Sequence, residues 1–361
     1  MPVEFRTFGL AVAGLLAGSL FTSAAFAQTA ADCKNRGELD TLYCDENNDL
    51  VADVPKDPKN LKDPSTLVFA YTPVEDPAVY ANIFKPFTEY LGQCTGKRVI
   101  YYPVQSNSAQ VEAMRSGRLH VAGFSTGPTG FAVNLAGAIP FAAKGTAEAV
   151  RGYHLISLVK ASSPYQKLSD LKGKRVAHTA PSSNSGHLAP LVLYPLEGLK
   201  PNEDYKPLMS GGHDKSALGV GSGDYDMGGV ASDVYNRMVT RGTLKGEDFR
   251  IIYKSPIFPT SSFAYAHDLK PDLAKKLTDC FFSFRFTPEM TKEFNGDDRF
   301  FPITYKETWK VVRDIAVGSG TPYNKAAYDA ESRREAEAIA KKEAEARAKA
   351  QQAPPAAAPK P

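Results

Sequence analysis

From Thr66 onward, strand-like and helix-like segments alternate, and this alternation most constrains the fold. Short runs rich in β-branched and aromatic residues, such as 67–71 and 98–103, are separated by runs with apolar residues near helical spacing. The alternation occurs twice, and longer strand-like runs lie where the two series join. It predicts the α/β class with parallel sheets covered on both faces. We expect two lobes with two crossovers, the first lobe formed by 65–152 plus 262–322 and the second by 153–261.

The first 27 residues have the composition of a secretory signal peptide. Arg6 precedes an apolar segment over 10–21, and Ala25-Phe26-Ala27 fits the small-x-small rule for cleavage. The apolar segment is shorter than the roughly 20 residues that a membrane-spanning helix needs. We therefore expect a periplasmic protein that is exported, cleaved near Ala27 and not tethered to the membrane.

All four cysteines follow the predicted cleavage site, and an even number in an exported chain suggests disulfides. Three pairings are possible. We favour Cys33–Cys44, which brackets a small polar loop, together with Cys94–Cys280, whose members lie near distant apolar helical runs. A Cys–Cys–His metal site is the alternative, but no metal-ligand spacing supports it. The sequence predicts neither a metal nor a cofactor.

Two terminal segments differ in composition from the rest of the chain. Residues 28–64 are polar, Asp-rich and punctuated by proline, which predicts an extended N-terminal arm stapled by the first disulfide. Residues 323–361 are mostly Ala, Glu, Lys and Arg and end in a Pro/Ala-rich stretch, which predicts a charged helical tail with a disordered end. Because this helix has no apolar face to bury, we interpret it as a solvated spacer. A partner-binding helix is the alternative.

Composition and motifs argue against several classes of function. The formal net charge of +3 is spread along the chain without a dense basic patch, so nucleic acid is not an expected partner. The sequence lacks the Gly-x-Ser-x-Gly elbow of serine hydrolases, a His-x-x-x-His metal motif and the glycine-rich nucleotide loops. We therefore predict that the protein is not an enzyme.

Residues 180–190, Ala-Pro-Ser-Ser-Asn-Ser-Gly-His-Leu-Ala-Pro, form the most distinctive polar segment, here called the serine loop. It lies between a short strand-like run and an apolar helical run. Backbone N–H groups at a helix start lack partners, and the helix dipole favours an anion there. We expect an anion site that acts mainly by hydrogen bonds, since the loop contains no Lys or Arg; an ordinary capped helix is the alternative. His187 would stay neutral and donate to the anion, whereas His178 is predicted to be packed.

Three further polar loops follow predicted strands, at 71–73, 125–128 and 231–233. In open α/β sheets, ligands bind beyond the carboxyl ends of the strands. With the serine loop, two such loops belong to each predicted lobe. All four are therefore expected to meet in a cleft between the lobes.

The serine loop resembles the Ser-Ser-x-Ser-Gly-x-x-x-Pro signature of the phosphate/phosphite/phosphonate substrate-binding proteins of ABC transporters. Segments 67–73, 169–177, 211–216, 223–233 and 255–265 resemble the corresponding neighbours, so the match covers roughly 66–320. The resemblance implies a type II periplasmic binding protein fold with a two-strand hinge. It also implies a monomer that captures a small phosphorus oxyanion for an ABC permease in the inner membrane.

The resemblance also implies roles for individual residues. The serine loop would grip the oxyanion, Tyr71 would contribute its hydroxyl, and Asp233 would face the ligand's substituent. Where the family has an aromatic residue before Gly-Pro, this chain has Phe124 followed by two hydroxyl residues, which are expected to supply the donor that Phe124 lacks. The implied ligand-binding set is Tyr71, Phe124, Ser125, Thr126, Ser182, Ser183, Ser185, Gly186, His187 and Asp233. The alternatives are a secreted phosphoester-handling enzyme that uses His187 and a ligand-sensing envelope protein that uses its tail.

Overall fold

Two β-sheets, each packed against helices, organise residues 33–352, the part of the chain that the computed structural model describes. The predicted signal peptide and the last nine residues of the tail lie outside the described residues. The strands, numbered in chain order, are β1 (Thr66–Tyr71), β2 (Arg98–Tyr101), β3 (Val121–Phe124), β4 (Ala138–Gly145), β5 (Tyr153–Lys160), β6 (Val176–His178), β7 (Leu208–Met209), β8 (Met227–Ala231), β9 (Phe249–Phe258), β10 (Ser262–Ala266) and β11 (Arg299–Pro302).

The first sheet has six strands in the order β11-β4-β10-β3-β1-β2, and the second has five in the order β7-β6-β8-β5-β9. We call each sheet with its helices a lobe. The chain passes from the first lobe to the second between β4 and β5 and returns between β9 and β10. The sequence analysis placed the lobe boundaries at 152/153 and 261/262.

The expectation of purely parallel sheets is wrong. β1 runs parallel to β2 and β3, and β6 runs parallel to β7 and β8. However, β10 is antiparallel to β3 and β4, and β5 is antiparallel to β8 and β9. β5 and β10 are the strands that arrive directly from the other lobe. A helical crossover within one sheet makes its two strands parallel, whereas a passage between sheets imposes no such constraint.

Helices cover both sheets. Apolar residues near helical spacing over 77–91 favour one helix, but the structure divides this run at Phe84, and a helix that was not predicted begins at Thr126. All eleven residues of the latter are buried, so it lacks the polar face on which periodicity depends. The helices are α1 (Pro77–Ile83), α2 (Lys85–Thr95), α3 (Asn107–Arg115), α4 (Thr126–Ala136), α5 (Ala189–Leu193), α6 (His213–Ser222), α7 (Ser232–Thr240), α8 (Pro271–Ser283), α9 (Pro288–Glu293), α10 (Tyr305–Thr308), α11 (Lys310–Gly318) and α12 (Lys325–Gln352).

Each lobe has its own hydrophobic core, and both favoured disulfides are confirmed. Cys94–Cys280 joins α2 to α8 in the first lobe. Cys33–Cys44 closes a loop of the N-terminal arm, which packs on the same lobe. There the Tyr43 hydroxyl donates to the carbonyl of Leu135 at 3.3 Å. Long disulfide loops restrict the unfolded chain most, so the bridge between α2 and α8 is the more stabilising of the two in the loop-entropy account.

The interpretation of the tail as a solvated spacer is wrong for the start of α12. Tyr328 packs against Phe131 with ring centroids 5.6 Å apart, and its hydroxyl donates to the Ser108 carbonyl at 2.8 Å. Glu331, one turn later, is buried. One tyrosine and its neighbours are enough to dock the helix, although its composition shows no apolar stripe. No helix within 33–352 is both long and apolar enough to cross a membrane.

Candidate functional site

A cavity of about 50 Å³ lies between the lobes, at the carboxyl ends of β1, β3, β6 and β8. Loops that follow these four strands all contribute to its lining, as the strand-end rule predicts. The loop before α6 and the passage between β9 and β10 complete it. Five residues of the predicted ligand-binding set line the cavity, namely Tyr71, Ser125, Thr126, Ser183 and Asp233.

The other five residues of the predicted set do not line this cavity. Phe124 is fully buried in the core of the first lobe, because the cavity begins beyond the end of β3. Gly186 has a packing role: a β-carbon there would lie 1.8 Å from Thr179 Oγ1. Glycine therefore allows the serine loop to approach the end of β6 closely.

Ser182 and Ser185 flank in sequence the lining residues Ser183 and Asn184. Ser182 Oγ accepts a hydrogen bond from Asn107 Nδ2 at 3.2 Å, which connects the serine loop to the start of α3 in the other lobe. Ser185 is buried, and its side chain lies beside the Tyr153 hydroxyl. In this arrangement Ser182 holds the lobes together, and Ser185 supports the wall of the cavity.

His187 faces away from the cavity, so the predicted hydrogen bond from its ring to the anion does not hold in this geometry. A π-helical turn over Asn184–Leu188 carries the ring to the far side of the serine loop. There its Nδ1 lies 2.8 Å from His178 Nδ1, and His178 Nε2 lies 2.8 Å from the Tyr205 hydroxyl. Burial, followed by the charge of Arg334, lowers the pKa of His187 to about 4, so the ring is neutral as expected. His178 is fully buried, which confirms that it is packed.

His213, which the sequence analysis did not assign, supplies a hydrogen-bond donor to the cavity. The Ala231 N–H donates to its Nδ1 at 3.0 Å, so the neutral ring carries its proton on Nε2. That atom lies 3.4 Å from Ser183 Oγ in the cavity wall. Burial lowers the pKa of His213 to about 4 and keeps the ring neutral. Its sequence signal was the Gly-Gly-His segment at 211–213, which the resemblance included without giving it a role.

Two threonine hydroxyls at the cavity have no hydrogen-bond partner among residues 33–352. They are Thr179 Oγ1, just after β6, and Thr260 Oγ1, in the passage between β9 and β10. A buried hydroxyl left without a partner costs about 1–3 kcal/mol. Together with the Nε2–H of His213, these groups form a surface that is rich in donors and suited to an acceptor.

Tyr71 contributes a hydroxyl group from the first lobe to the cavity, and the ammonium group of Lys144 contacts that hydroxyl. Lys144 Nζ on β4 donates to Tyr71 Oη at 2.6 Å, and Ser261 Oγ lies 3.0 Å from the same oxygen. The serine loop contains no cationic side chain. Strand β4, which is distant in sequence, places Lys144 next to the site instead. No local sequence pattern indicates this contact, because it joins two strands about seventy residues apart.

Asp233 is the one carboxylate among the described residues that line the cavity. Its Oδ2 accepts a hydrogen bond from Arg237 Nη1 at 3.1 Å. Burial opposes its ionisation, but the charges of Arg237 and Lys144 outweigh that effect and lower its pKa. Asp233 therefore remains ionised, and it offers an acceptor among many donors.

A buried ion-pair network holds the lobes closed over the cavity. Glu75, in the loop after β1, contacts Arg237 at 2.9 Å and Arg241 at 2.7 Å in the second lobe. Glu75 and Arg237 are both buried. A β-carbon at Gly127 would lie 2.1 Å from the Ser182 carbonyl oxygen, so glycine also permits close contact of the lobes there. The structure is therefore that of a closed cleft.

Two α/β lobes that close over a cavity rich in donors define a solute-binding protein with the type II periplasmic binding fold, as predicted. A family model described as "ABC transporter, phosphonate, periplasmic substrate-binding protein" matches residues 69–307, and the chain belongs to this family. The family is described as the substrate-binding component of a transporter, which bears out the prediction that the protein is not an enzyme.

Two curated relatives resemble the chain in sequence. The Phosphate-import protein PhnD of Mycolicibacterium smegmatis is 28% identical over 262 residues, which are 69% of this chain and 81% of the relative. The Phosphonates-binding periplasmic protein of Escherichia coli is 25% identical over 208 residues, covering 56% of this chain and 62% of the relative.

Two solved structures support the fold. A binding protein component of an ABC phosphonate transporter from Pseudomonas aeruginosa superposes with a TM-score of 0.64 at 20% identity, over 79% of this chain and all of that one. PhnD1 from Prochlorococcus marinus, in complex with methylphosphonate, gives a TM-score of 0.63 at 20% identity, over 71% and 98% of the two chains.

Proposed function

We propose that the protein captures a small phosphorus oxyanion between its lobes and delivers it to the permease of an ABC importer in the inner membrane. The observation that carries this proposal is the set of donors around the cavity. The hydroxyls of Thr179 and Thr260 lack partners within the described chain, and the Nε2–H of His213 faces the same space. An oxyanion would satisfy all three, since its oxygens are strong acceptors.

The size of the cavity favours a ligand with a small substituent on phosphorus. One water needs about 10–15 Å³ of such space, so the cavity of about 50 Å³ holds the volume of about four waters. Phosphite, phosphate and methylphosphonate have about that number of non-hydrogen atoms, whereas 2-aminoethylphosphonate is larger. We therefore propose that hydrogen, hydroxyl or methyl is the preferred substituent.

We further propose which residues contact the ligand. Tyr71, Ser183 and His213 would donate to its oxygens together with the two unpartnered threonines. Ser125 and Thr126, at the start of α4, would add donors from the first lobe. Asp233 would accept from a hydroxyl on phosphorus or face another substituent.

We propose that the mature protein begins after Ala27 and acts as a free periplasmic monomer. Two disulfides within the described chain support export, because such bonds persist in oxidising compartments. Delivery to a permease requires that both lobes present their surfaces to the membrane complex. A single two-lobed molecule is sufficient for that function.

Calorimetric titration of residues 28–361 tests this function. The protein is first unfolded and refolded to remove any bound ligand, and it is then titrated with phosphite, phosphate, methylphosphonate and 2-aminoethylphosphonate, with sulfate as the comparison anion. We expect micromolar or tighter binding of at least one of the first three and weaker binding of 2-aminoethylphosphonate. Absence of heat with all four phosphorus compounds, or a preference for sulfate, would contradict the proposal.

A further inference from the structure

Lys144 is a buried lysine whose ammonium group has no carboxylate at ion-pair distance among residues 33–352. It is 3% exposed, and its Nζ donates to Tyr71 Oη at 2.6 Å. The rings of Tyr71 and Phe294 have their centroids 5.0 Å from Nζ. Burial of an ammonium group without a counter-charge is costly, and contacts with aromatic rings compensate for only part of that cost.

The charged groups that surround Lys144 already have partners. Asp233 on α7 pairs with Arg237 at 3.1 Å, and Asp297, just before β11, pairs with Arg151 at 3.0 Å. Both carboxylates feel the charge of Lys144, and each has an arginine at contact distance, although Asp233 shares Arg237 with Glu75. Lys144 forms no ion pair of its own among the described residues, so a charge that arrives with the ligand can act on it.

The hydrogen bond from Lys144 also fixes the direction of the Tyr71 hydroxyl. An ammonium group can only donate, so the phenolic oxygen must accept from it. The phenolic proton then points either to Ser261 Oγ, 3.0 Å away, or into the cavity that Tyr71 lines. A hydroxyl that accepts from a cation is a stronger donor than an isolated one, because hydrogen bonds in series polarise one another.

We propose that Lys144 is a positioning residue that acts through Tyr71 and makes the site select doubly charged over singly charged oxyanions. This inference rests on the proposed function. The hydroxyls and the neutral imidazole around the cavity can hydrogen-bond to an oxyanion of either charge. An unpaired buried cation, in contrast, favours the ligand with the larger negative charge.

Methylphosphonate and methanesulfonate test this selectivity, because they have the same shape and differ in charge. Both are titrated at one pH, above the second ionisation of methylphosphonate, into the wild type, Lys144→Met, Tyr71→Phe and the double variant. We expect the wild type to prefer methylphosphonate, and Lys144→Met to reduce that preference roughly 10- to 100-fold, the effect typical of a lost charge-assisted hydrogen bond. The reduction should be smaller in the Tyr71→Phe background, because the hydroxyl that links Lys144 to the ligand is then absent.

The control is Lys254→Met, which removes an exposed strand lysine of the second lobe and should leave the preference unchanged. Thermal unfolding establishes that each variant is folded. If Lys144→Met does not fold, Tyr71→Phe takes its place, since it retains the ammonium and removes the hydroxyl; its preference should also fall. An unchanged preference in the folded variants overturns the role of Lys144 alone. Failure of the wild type to bind either anion, or any of the four phosphorus compounds, overturns the proposed function and this inference with it.

Discussion

Thr179 and Thr260 line the cavity, and each buries a hydroxyl that has no partner in the described chain. Thr179→Val and Thr260→Val remove these hydroxyls without changing side-chain volume. The unliganded protein should be as stable as the wild type or slightly more stable, because an unsatisfied polar group is lost. Ligand affinity should fall by about 1–3 kcal/mol in each variant, because one ligand oxygen loses its donor. Calorimetric titration and thermal unfolding measure the two effects separately.

The matched control is Thr278→Val on α8, whose exposed hydroxyl donates to the Lys275 carbonyl. It should leave ligand affinity unchanged. Unchanged affinity in both cavity variants would show that these hydroxyls do not meet the ligand. A fall in affinity with an equal loss of unliganded stability would instead indicate that the threonines support the fold.

Buried histidines predict a specific pH dependence of stability. Burial lowers the pKa of both His187 and His213 to about 4, and it lowers the pKa of His178 strongly. Below their unfolded pKa of about 6.5, these residues bind more protons in the unfolded chain than in the folded one. The contribution of these histidines to the free energy of unfolding should therefore be complete above about pH 6.5 and should be lost as the pH drops towards 4. Urea unfolding between pH 7 and pH 4.5 measures this slope.

His213→Gln isolates one contribution to the slope. It retains a polar side chain that does not titrate, so its stability should decline less steeply between pH 6.5 and 4.5 than that of the wild type. His154→Gln is the comparison, because His154 is a half-buried histidine outside the cavity lining. Equal slopes for His213→Gln and the wild type would mean that His213 binds its proton over the same pH range in the folded and unfolded chains.

Among the helices, α12 has a structural role, because one of its side chains caps the N-terminus of α3. The carboxylate of Glu335 accepts from the backbone N–H groups of Asn107 and Ser108 at the start of α3, at 3.4 and 3.2 Å. An anion at a helix N-terminus is stabilised by unpaired N–H groups and by the helix dipole. The side chain of Asn107 in turn donates to Ser182 across the cleft. The tail therefore connects to both lobes.

Glu335→Gln should lower the free energy of unfolding by about 1 kcal/mol, because the charge is lost and the amide nitrogen cannot accept the hydrogen bond of the oxygen that it replaces. Ligand affinity should also fall modestly, because the start of α3 helps to hold the closed cleft. Denaturant unfolding and titration measure the two effects. Glu337→Gln, two residues later on an exposed position of the same helix, is the control and should change neither. Equal behaviour of the two variants would mean that Glu335 does not act as a cap and that this part of α12 is only a spacer.

The elements that could be predicted are those with a periodic pattern. β1 and β2 lie within two residues of the segments predicted at 67–71 and 98–103, because both runs are rich in β-branched and aromatic residues. α4 was missed because it is buried on all sides, and its Thr-Gly-Pro-Thr-Gly start reads as a turn. The serine loop was recognised as a polar segment before a helix. Its π-helical turn, which directs His187 away from the cavity, depends on packing against Thr179 that no local pattern encodes.

At the scale of the whole molecule, the location of the site followed from topology, whereas its electrostatics did not. The carboxyl ends of four predicted strands do meet at one cavity. The cation behind Tyr71 comes from β4, and the proton position of His213 depends on the Ala231 N–H. Both contacts join segments far apart in the sequence, so they require the three-dimensional structure. Four of the five predicted residues outside the lining belong to the serine loop, so residues near this loop supply much of the site.

Glu75 couples closure of the cleft between the lobes to the affinity for the ligand. Its buried carboxylate is shared by Arg237 and Arg241 across the cleft, and Tyr80 donates to it at 2.8 Å. In an open cleft the two sides of this network separate and become hydrated. Loss of one partner of a buried ion pair costs about 3–5 kcal/mol, and here the closed state alone bears that cost. Glu75→Gln should therefore shift the lobes towards the open state.

Small-angle scattering of the ligand-free protein should show a larger radius of gyration for Glu75→Gln than for the wild type. The apparent dissociation constant should rise by the factor by which the closed, binding-competent fraction falls. Saturating ligand should restore the wild-type radius, because the ligand binds the closed state preferentially. Asp226→Asn is the control, since Asp226 pairs with Arg175 within the second lobe at 3.1 Å and contributes nothing across the cleft. If Glu75→Gln and Asp226→Asn have the same radius and the same affinity, the network stabilises the lobes individually and does not hold them closed.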